Sequence, residues 1–317
     1  MNNEITIFFT ADEAYAPFLA TAIASAVENS SPARRYRAVI LHQGISDDTL
    51  SRITALARDN FKIEPIEMTH SFDGLDDRMS NRLRCDYFTL TIYFRLFIPE
   101  MFPELDRAVY IDSDVVLTDD IAKLYDTDIG DCLIGACQDL SIADVPPLVE
   151  YTENAIGMAR GEYINSGVLL MDLKALRDCR LGARFLEILN TYHLDTVAPD
   201  QDYLNAMCYG RIFYLDGAWD AMPNDSKEPL ESPSLIHYNL FSKPWCRDGV
   251  QYADVFWSYA DKSGFGEEIR AYRAGYTADK IRADDECLEL LIKRAVEITH
   301  SETTFKTLYE KGVKIRL

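Results

Sequence analysis

RAVYIDSDVVL, residues 107–117, reads as a buried strand that ends in two carboxylates, Asp112 and Asp114. Residues two apart on an extended strand point the same way. Two oxygen ligands on one side, at the end of an apolar run, suit a hard divalent cation such as Mg2+ or Mn2+. The bland reading of Asp-x-Asp is a solvated turn, and Asp119 and Asp120 close by favour it. The run Ala108-Val109-Tyr110-Ile111 weighs the other way. Acids that follow a buried central strand stand where doubly wound sheets bind their ligands.

The chain before this stretch supplies the rest of such a sheet. ITIFFT (5–10) is β-branched and aromatic and predicts a first buried strand. Tyr15, Phe18, Leu19, Ala22, Ile23, Ala26 and Val27 recur at helical spacing. YRAVIL (36–41) predicts a second strand, and Ser46 with Asp47 and Asp48 predicts a helix start. FKIEPIEM (61–68) is interrupted by proline and belongs near an edge. Strand–helix–strand–helix–strand is the opening of a doubly wound α/β sheet. Thr10, Ala11 and Asp12 then fall at the carboxyl end of the first strand. No G-x-G-x-x-G or P-loop follows that strand, which argues against nicotinamide and P-loop nucleotide chemistry.

Residues 71–86 are polar and read as a loop, and a helix is expected over 89–98. Arg95 lies there among Tyr93, Phe94, Leu96, Phe97 and Ile98. It is either a snorkelling surface arginine or one laid over a phosphate or carboxylate. CLIGAC (132–137) predicts another strand, and 138–161 a long connection with paired prolines, Pro146 and Pro147. EYINSGVLLMDL (162–173) predicts a strand interrupted at Asn165-Ser166-Gly167, which could be no more than a bulge. Helices are expected over 183–193 and 200–209, and a short strand over 235–239. Residues 250–317 show three helix-like stretches. The division expected is a domain over 1–249 and a helical extension over 250–317.

The charge is −20, from 52 acidic and 32 basic residues. Such a surface repels a phosphate backbone, so nucleic acid is a poor partner. A diphosphate ligand would need a local cation. The seven cysteines are scattered and contain no Cys-x-x-Cys pair, which fits free thiols in a reducing compartment. The N-terminus lacks a signal-peptide pattern, and no apolar run has the length of a membrane span. A cytoplasmic protein is expected. The weakly basic end, FKTLYEKGVKIRL (305–317), allows at most peripheral membrane contact.

Taken singly, the other candidates have ordinary explanations. His237 could be a satisfied core histidine, and Asp200-Gln201-Asp202 could serve only as acids at a helix start. Lys243, six residues after His237, could meet a phosphate as a point charge. The ordered set of motifs is more specific. FTADEAYAPFL, YFRLFIPE, VYIDSDVVL, GMARGEY leading into YINSGVLLMDL, PDQDYLN and IHYNLFSKPW occur in that order over about residues 5–247. Together they resemble glycosyltransferase family 8, the retaining sugar-nucleotide-dependent transferases. Bacterial lipopolysaccharide galactosyl- and glucosyltransferases and glycogenin belong to it.

The resemblance implies a glycosyltransferase type A fold, a Rossmann-like α/β domain with a mixed, mostly parallel sheet. It implies a hexosyltransferase that takes UDP-glucose or UDP-galactose as donor and a glycan or glycolipid as acceptor. Asp112, Asp114 and His237 would hold Mn2+ or Mg2+. Thr10, Ala11, Asp12 and Tyr15 would surround the uracil and ribose. Arg95, Ser113, Asn165, Ser166 and Asp200 would contact the donor, and Lys243 its diphosphate. Gln201 would lie beside the anomeric carbon, and Asp200 would orient sugar hydroxyls. Two positions depart from the pattern: Ala14 stands where relatives often have Asn, and Leu240 where they often have Gly. Two rivals come from other classes. DSDVVL also fits a haloacid-dehalogenase-type phosphatase, with Asp112 as nucleophile and Asp114 as acid/base. A sugar-nucleotide-binding protein without catalysis is the other.

Overall fold

The computed structural model describes residues 4–68 and 90–317; the loop expected over 71–86 lies outside them. The chain opens with β1 (Glu4–Asp12), α1 (Ala16–Glu28), β2 (Arg35–Gln43), α2 (Asp47–Thr54) and β3 (Phe61–Glu67). A 3-10 segment, Leu90–Leu96, leads into α3 (Ile98–Met101), followed by β4 (Arg107–Ile111), β5 (Val115–Leu117) and α4 (Ala122–Tyr125). Next come β6 (Ile134–Gln138), α5 (Pro146–Tyr151), β7 (Ile164–Asp172), α6 (Leu173–Asp178), α7 (Leu181–Tyr192) and α8 (Pro199–Cys208). β8 (Ile212–Tyr214) and β9 (Leu235–His237) precede α9 (Ala253–Lys262), α10 (Gly266–Ala274), α11 (Ala278–Thr299) and α12 (Phe305–Glu310).

Seven strands form one sheet in the order β3-β2-β1-β4-β7-β6-β8, and β5 pairs with β9 in a separate ribbon. β7 runs antiparallel to both of its neighbours; the other pairs in the large sheet are parallel. β3, with Pro65, is at the edge as its missing N–H requires. The first connections run from β1 towards β2 and β3, and β4 lies on the other side of β1. The switch point is therefore between β1 and β4, where such sheets bind ligands.

Alternation along the strands divides the apolar residues between two faces. Phe8 and Tyr110 face a core shared with Tyr203 of α8, Phe185 of α7 and Phe305 of α12. Ile7, Phe9, Val109 and Ile111 face a second core with Phe18 of α1, Phe256 of α9 and Ile269 of α10. No helix among the described residues is long and apolar enough to cross a membrane.

Several expectations are corrected. RAVYIDSDVVL is not one strand. It breaks at 112–114 into β4, in the large sheet, and β5, in the ribbon. The helix expected over 89–98 is a 3-10 segment and a separate short helix. Pro99 has no N–H for the carbonyl of Arg95, and its ring crowds that carbonyl, so a continuous α-helix cannot pass. The connection 138–161 holds α5, with Pro146 and Pro147 in its first turn, and a π-helical turn, Thr152–Ile156. Residues 250–317 form four helices, not three. β7 runs through Asn165-Ser166-Gly167 as strand, and the interruption is in its pairing. Ala136 and Gln138 of β6 face Leu169 and Ile164, so one residue of β6 opposes four of β7.

Candidate active site

The break at 112–114 is what forms the site. Ile111 of β4 pairs with Val168 of β7, and the Asp112 N–H then donates to the Gly167 carbonyl at 2.8 Å. Three residues on, Val115 pairs with His237 of β9, and the Tyr238 N–H donates to the Asp114 carbonyl at 2.9 Å. Strand register thus carries His237 to the two acids. One ligand atom from each of Asp112, Asp114 and His237 lies within 4.8 Å of the others. His237 Nε2 is 3.3 Å from Asp114 Oδ1 and 4.0 Å from Asp112 Oδ2.

The donor set fits a divalent cation. His237 Nδ1 meets Asp220 Oδ1 at 2.9 Å. With the proton on Nδ1, the Nε2 lone pair faces the carboxylates, the usual carboxylate–histidine–metal arrangement. Two carboxylates and an imidazole suit Mn2+ better than Mg2+, which prefers oxygen alone. Burial opposes a charge on His237, but Asp220 and Asp114 outweigh it and push its pKa up to about 10. Burial likewise opposes the charge of Asp114, yet Lys243 and His237 hold its carboxyl far below the usual range. The side chains of Asp112 and Asp114 keep 22% and 13% of their surface exposed, against 2% for His237. The acids form the open side of the group.

Two cations back the acids. Arg95 donates from Nη2 to Asp112 Oδ1 at 2.8 Å, and Lys243 Nζ donates to Asp114 Oδ2 and the Tyr238 carbonyl. Arg95 is buried, so the snorkelling reading fails. Its remaining nitrogens reach the Ser166 carbonyl and Oγ and Asp200 Oδ2. Ser166 donates from its N–H to Gln201 Oε1 at 3.0 Å and from Oγ to Asp200 Oδ2 at 3.0 Å. Gln201 Nε2 donates to Asp139 Oδ2 at 2.9 Å, as does Asn165 Nδ2 at 3.3 Å. The Gln201 amide is therefore held at both ends. Asp200 and Gln201 lie in the first turn of α8, which is buried along its whole length. Asp200 Oδ1 is buried without a hydrogen-bond partner among the described residues.

At the end of β1 the Ser113 hydroxyl donates to the Thr10 carbonyl at 2.8 Å, joining the acids to Thr10, Ala11 and Asp12. Asp12 Oδ1 accepts from the Tyr15 N–H at 3.0 Å, which turns the chain from β1 into α1. Asp112, Asp114, His237, Lys243, Arg95, Asn165, Ser166, Asp200 and Gln201 thus share one network, with Thr10–Tyr15 beside it.

Sequence reasoning missed Tyr110, Asp139, Gly167 and Asp220. Tyr110 donates to Asp112 Oδ1 at 2.7 Å and is 2.9 Å from Thr10 Oγ1. Its position two before Asp112 on a strand was a usable signal. A Cβ on Gly167 would strike the His237 ring and stand 2.7 Å from Asp112 Oδ2. Asp220 is in a 3-10 turn, Gly217–Asp220, whose sequence carries no mark of a histidine partner.

A family model described as Glycosyl transferase family 8 matches residues 6–249. The lipopolysaccharide 1,2-glucosyltransferase of Escherichia coli K12 is 29% identical over 52% of this chain and 53% of its own. The crystal structure of galactosyltransferase LgtC, in complex with donor and acceptor sugar analogues, aligns with a TM-score of 0.67 at 29% identity. That alignment covers 81% of this chain and 96% of LgtC. The bifunctional glycosyltransferase WbbM shares the fold, with a TM-score of 0.72 at 21% identity over 86% of this chain and 52% of WbbM. The phosphatase reading loses its footing, since the acids follow the fourth strand of a glycosyltransferase type A fold. With three quarters of its length matched and the acids, histidine and glutamine gathered at the switch point, the chain belongs to glycosyl transferase family 8.

Proposed function

We propose that the chain is a metal-dependent, retaining hexosyltransferase. It takes glucose or galactose from a UDP-sugar and delivers it to a glycan or lipopolysaccharide-type acceptor. The observation that carries this reading is the approach of Asp112, Asp114 and His237 to one point, beside a Gln201 amide fixed at both ends. Those three residues would hold Mn2+. A bound divalent cation would supply neutralisation of the charge that develops on the departing diphosphate.

This chain's own residues do the rest. Thr10, Ala11, Asp12 and Tyr15 form the uridine end, and Ser113 ties it to the acids. Lys243 serves the diphosphate as a second positive charge. Arg95 locks Ser166 and Asp200 in place, and Asp200 offers its unpaired Oδ1 to a sugar hydroxyl. Gln201 Oε1 has a second lone pair beyond the Ser166 N–H, available to an oxocarbenium-like centre. A neutral amide is a poor nucleophile, and Asp200 Oδ2 is engaged by Arg95 and Ser166. Both points favour attack from the leaving-group face over a covalent glycosyl-enzyme. A cytoplasmic setting belongs to the same proposal and rests on the scattered cysteines.

The test is a panel of UDP-sugars with Mn2+, scored for UDP release. Asp114→Asn and His237→Ala should each lower metal-dependent release by at least ~100-fold, with the far-UV circular dichroism unchanged. Release that persists in both variants with the same metal dependence would sink the reading. Hydrolysis of p-nitrophenyl phosphate without a sugar nucleotide would favour the phosphatase instead.

A further inference from the structure

The two oxygens of Asp112 stand in different surroundings. Oδ2 faces His237 Nε2 at 4.0 Å. Oδ1 accepts from the Tyr110 hydroxyl at 2.7 Å and from Arg95 Nη2 at 2.8 Å. A carboxylate oxygen has two lone-pair sites, and both of those on Oδ1 are filled. Asp112 therefore offers a cation one oxygen, and its carboxylate cannot turn without breaking two hydrogen bonds. Of the two donors, Arg95 is shared with Ser166 and Asp200. The Tyr110 hydroxyl serves Asp112 and Thr10 alone among the described residues.

Strand register puts the phenol there. β1 and β4 are parallel neighbours, with Phe8 opposite Tyr110. Thr10 and Asp112 are each two residues further on, so they share a face with that pair. The buried phenol bridges them, and the Arg95 guanidinium lies 4.3 Å over its ring. The bridge also has a direction. A carboxylate only accepts, so the single phenolic proton goes to Asp112 Oδ1. The contact of 2.9 Å between Thr10 Oγ1 and the phenol oxygen is then donated by the threonine. Thr10 holds Tyr110, and Tyr110 holds Asp112.

We propose that Tyr110 is a positioning residue for the metal site. Its hydroxyl fixes Asp112 with Oδ2 alone towards the cation, and Thr10 acts on the cation through it. This inference rests on the metal-dependent reading of the site and adds to it a chain of two residues outside the ligand set.

Titration of the full chain with Mn2+, with electron paramagnetic resonance reading the free ion, tests it. Tyr110→Phe removes one oxygen and leaves the ring under Arg95. Loss of such a partner costs roughly 10–100-fold in metal affinity. Tyr110→Phe should therefore bind Mn2+ at least ~10-fold more weakly, with an unchanged far-UV circular dichroism spectrum. Thr10→Val alters none of the three ligands and removes one neutral hydrogen bond, so it should weaken Mn2+ binding about threefold. Added to Tyr110→Phe, it should cost nothing more, because its path to Asp112 is already cut. A hydroxyl that served only the fold would lower the melting temperature and leave Mn2+ affinity alone. Mn2+ affinity unchanged in either single variant, or losses that multiply in the double variant, would overturn the inference and leave the metal-dependent reading standing. If Tyr110→Phe does not fold, Thr10→Val decides by itself. No Mn2+ binding by the unaltered chain would remove the metal-dependent reading, and this inference with it.

Discussion

Lys243 and a divalent cation compete for the same carboxylate. The Lys243 ammonium donates to Asp114 Oδ2, one of the three groups that would hold the metal. A charged hydrogen bond is worth about 1.5–3 kcal/mol, so breaking it should cost a metal on the order of tenfold in affinity. Lys243→Met should then bind Mn2+ roughly tenfold more tightly in the absence of nucleotide, yet bind UDP more weakly because a phosphate partner is lost. Manganese electron paramagnetic resonance reads the first effect and calorimetry with UDP the second. Equal Mn2+ affinity in both proteins would show that the pair imposes no barrier. Asp202 makes a second prediction at this scale. Burial pushes its pKa up to about 6, although Tyr163, Tyr151 and the N–H groups of Ala198 and Val197 all donate to it. A carboxyl whose pKa is raised on folding takes up a proton. Its stabilising contribution is complete below the unfolded value, ~3.9, and is lost as the pH rises through 6. Asparagine can replace it, because Oδ1 can face the donors from Tyr151, Val197 and Ala198 while the amide turns to the Tyr163 hydroxyl. Between pH 5 and pH 7.5 the melting temperature of Asp202→Asn should rise by a few degrees relative to the unaltered chain. A constant difference across that range would contradict it.

β7 is the element on which the site turns. Antiparallel between β4 and β6, it loses its pairing with β6 over 165–168, which frees Asn165 and Ser166 to bind Asp139, Gln201 and Asp200 instead. Gly167 is pressed against Asp112 and His237, and its φ is not among the positive values, so alanine there would be excluded by contact and not by backbone strain. Gly167→Ala should weaken Mn2+ binding at least ~10-fold and remove transfer, because a Cβ 2.7 Å from Asp112 Oδ2 must push the carboxylate or the imidazole aside. Mn2+ affinity equal to that of the unaltered chain, with an intact circular dichroism spectrum, would disprove this. The same strand shows what a sequence can and cannot disclose. The INSG break in an apolar run was visible, as was the edge position of β3 through Pro65. That β4 and β5 belong to different sheets was not, because AVYIDSDVVL is apolar on both sides of the break and pairing partners leave no local trace. Asp220 was equally hidden: its role depends on the ribbon pairing that places His237 above it.

At the scale of the whole molecule the question is whether residues 250–317 are an accessory or part of the fold. The helical character of this region was legible from its spacing, and so was the end of the family pattern near Trp245. Where the helices dock was not, since an amphipathic face does not name its partner. They dock on both sides of the sheet. α9 and α10 pack against α1, where Phe256 and Ile269 join the core of Ile7 and Phe9. α11 packs on α5, Phe305 of α12 meets Tyr203 of α8 at 4.9 Å, and the Leu317 N–H donates to the Met207 carbonyl. Phe256, Ile269, Ile298, Phe305, Leu308 and Ile315 are all buried. At about 1.5–3 kcal/mol for each large side chain, they contribute on the order of 10 kcal/mol, comparable to the whole stability of a typical domain, ~5–15 kcal/mol. We therefore expect a chain ended at residue 249 to lose cooperative folding. Differential scanning calorimetry on residues 1–249 should show no sharp transition, and the full chain should unfold in one. A cooperative melt of the shortened chain, with Mn2+ and UDP binding retained, would instead make 250–317 a separable addition and leave the metal site dependent on 1–249 alone.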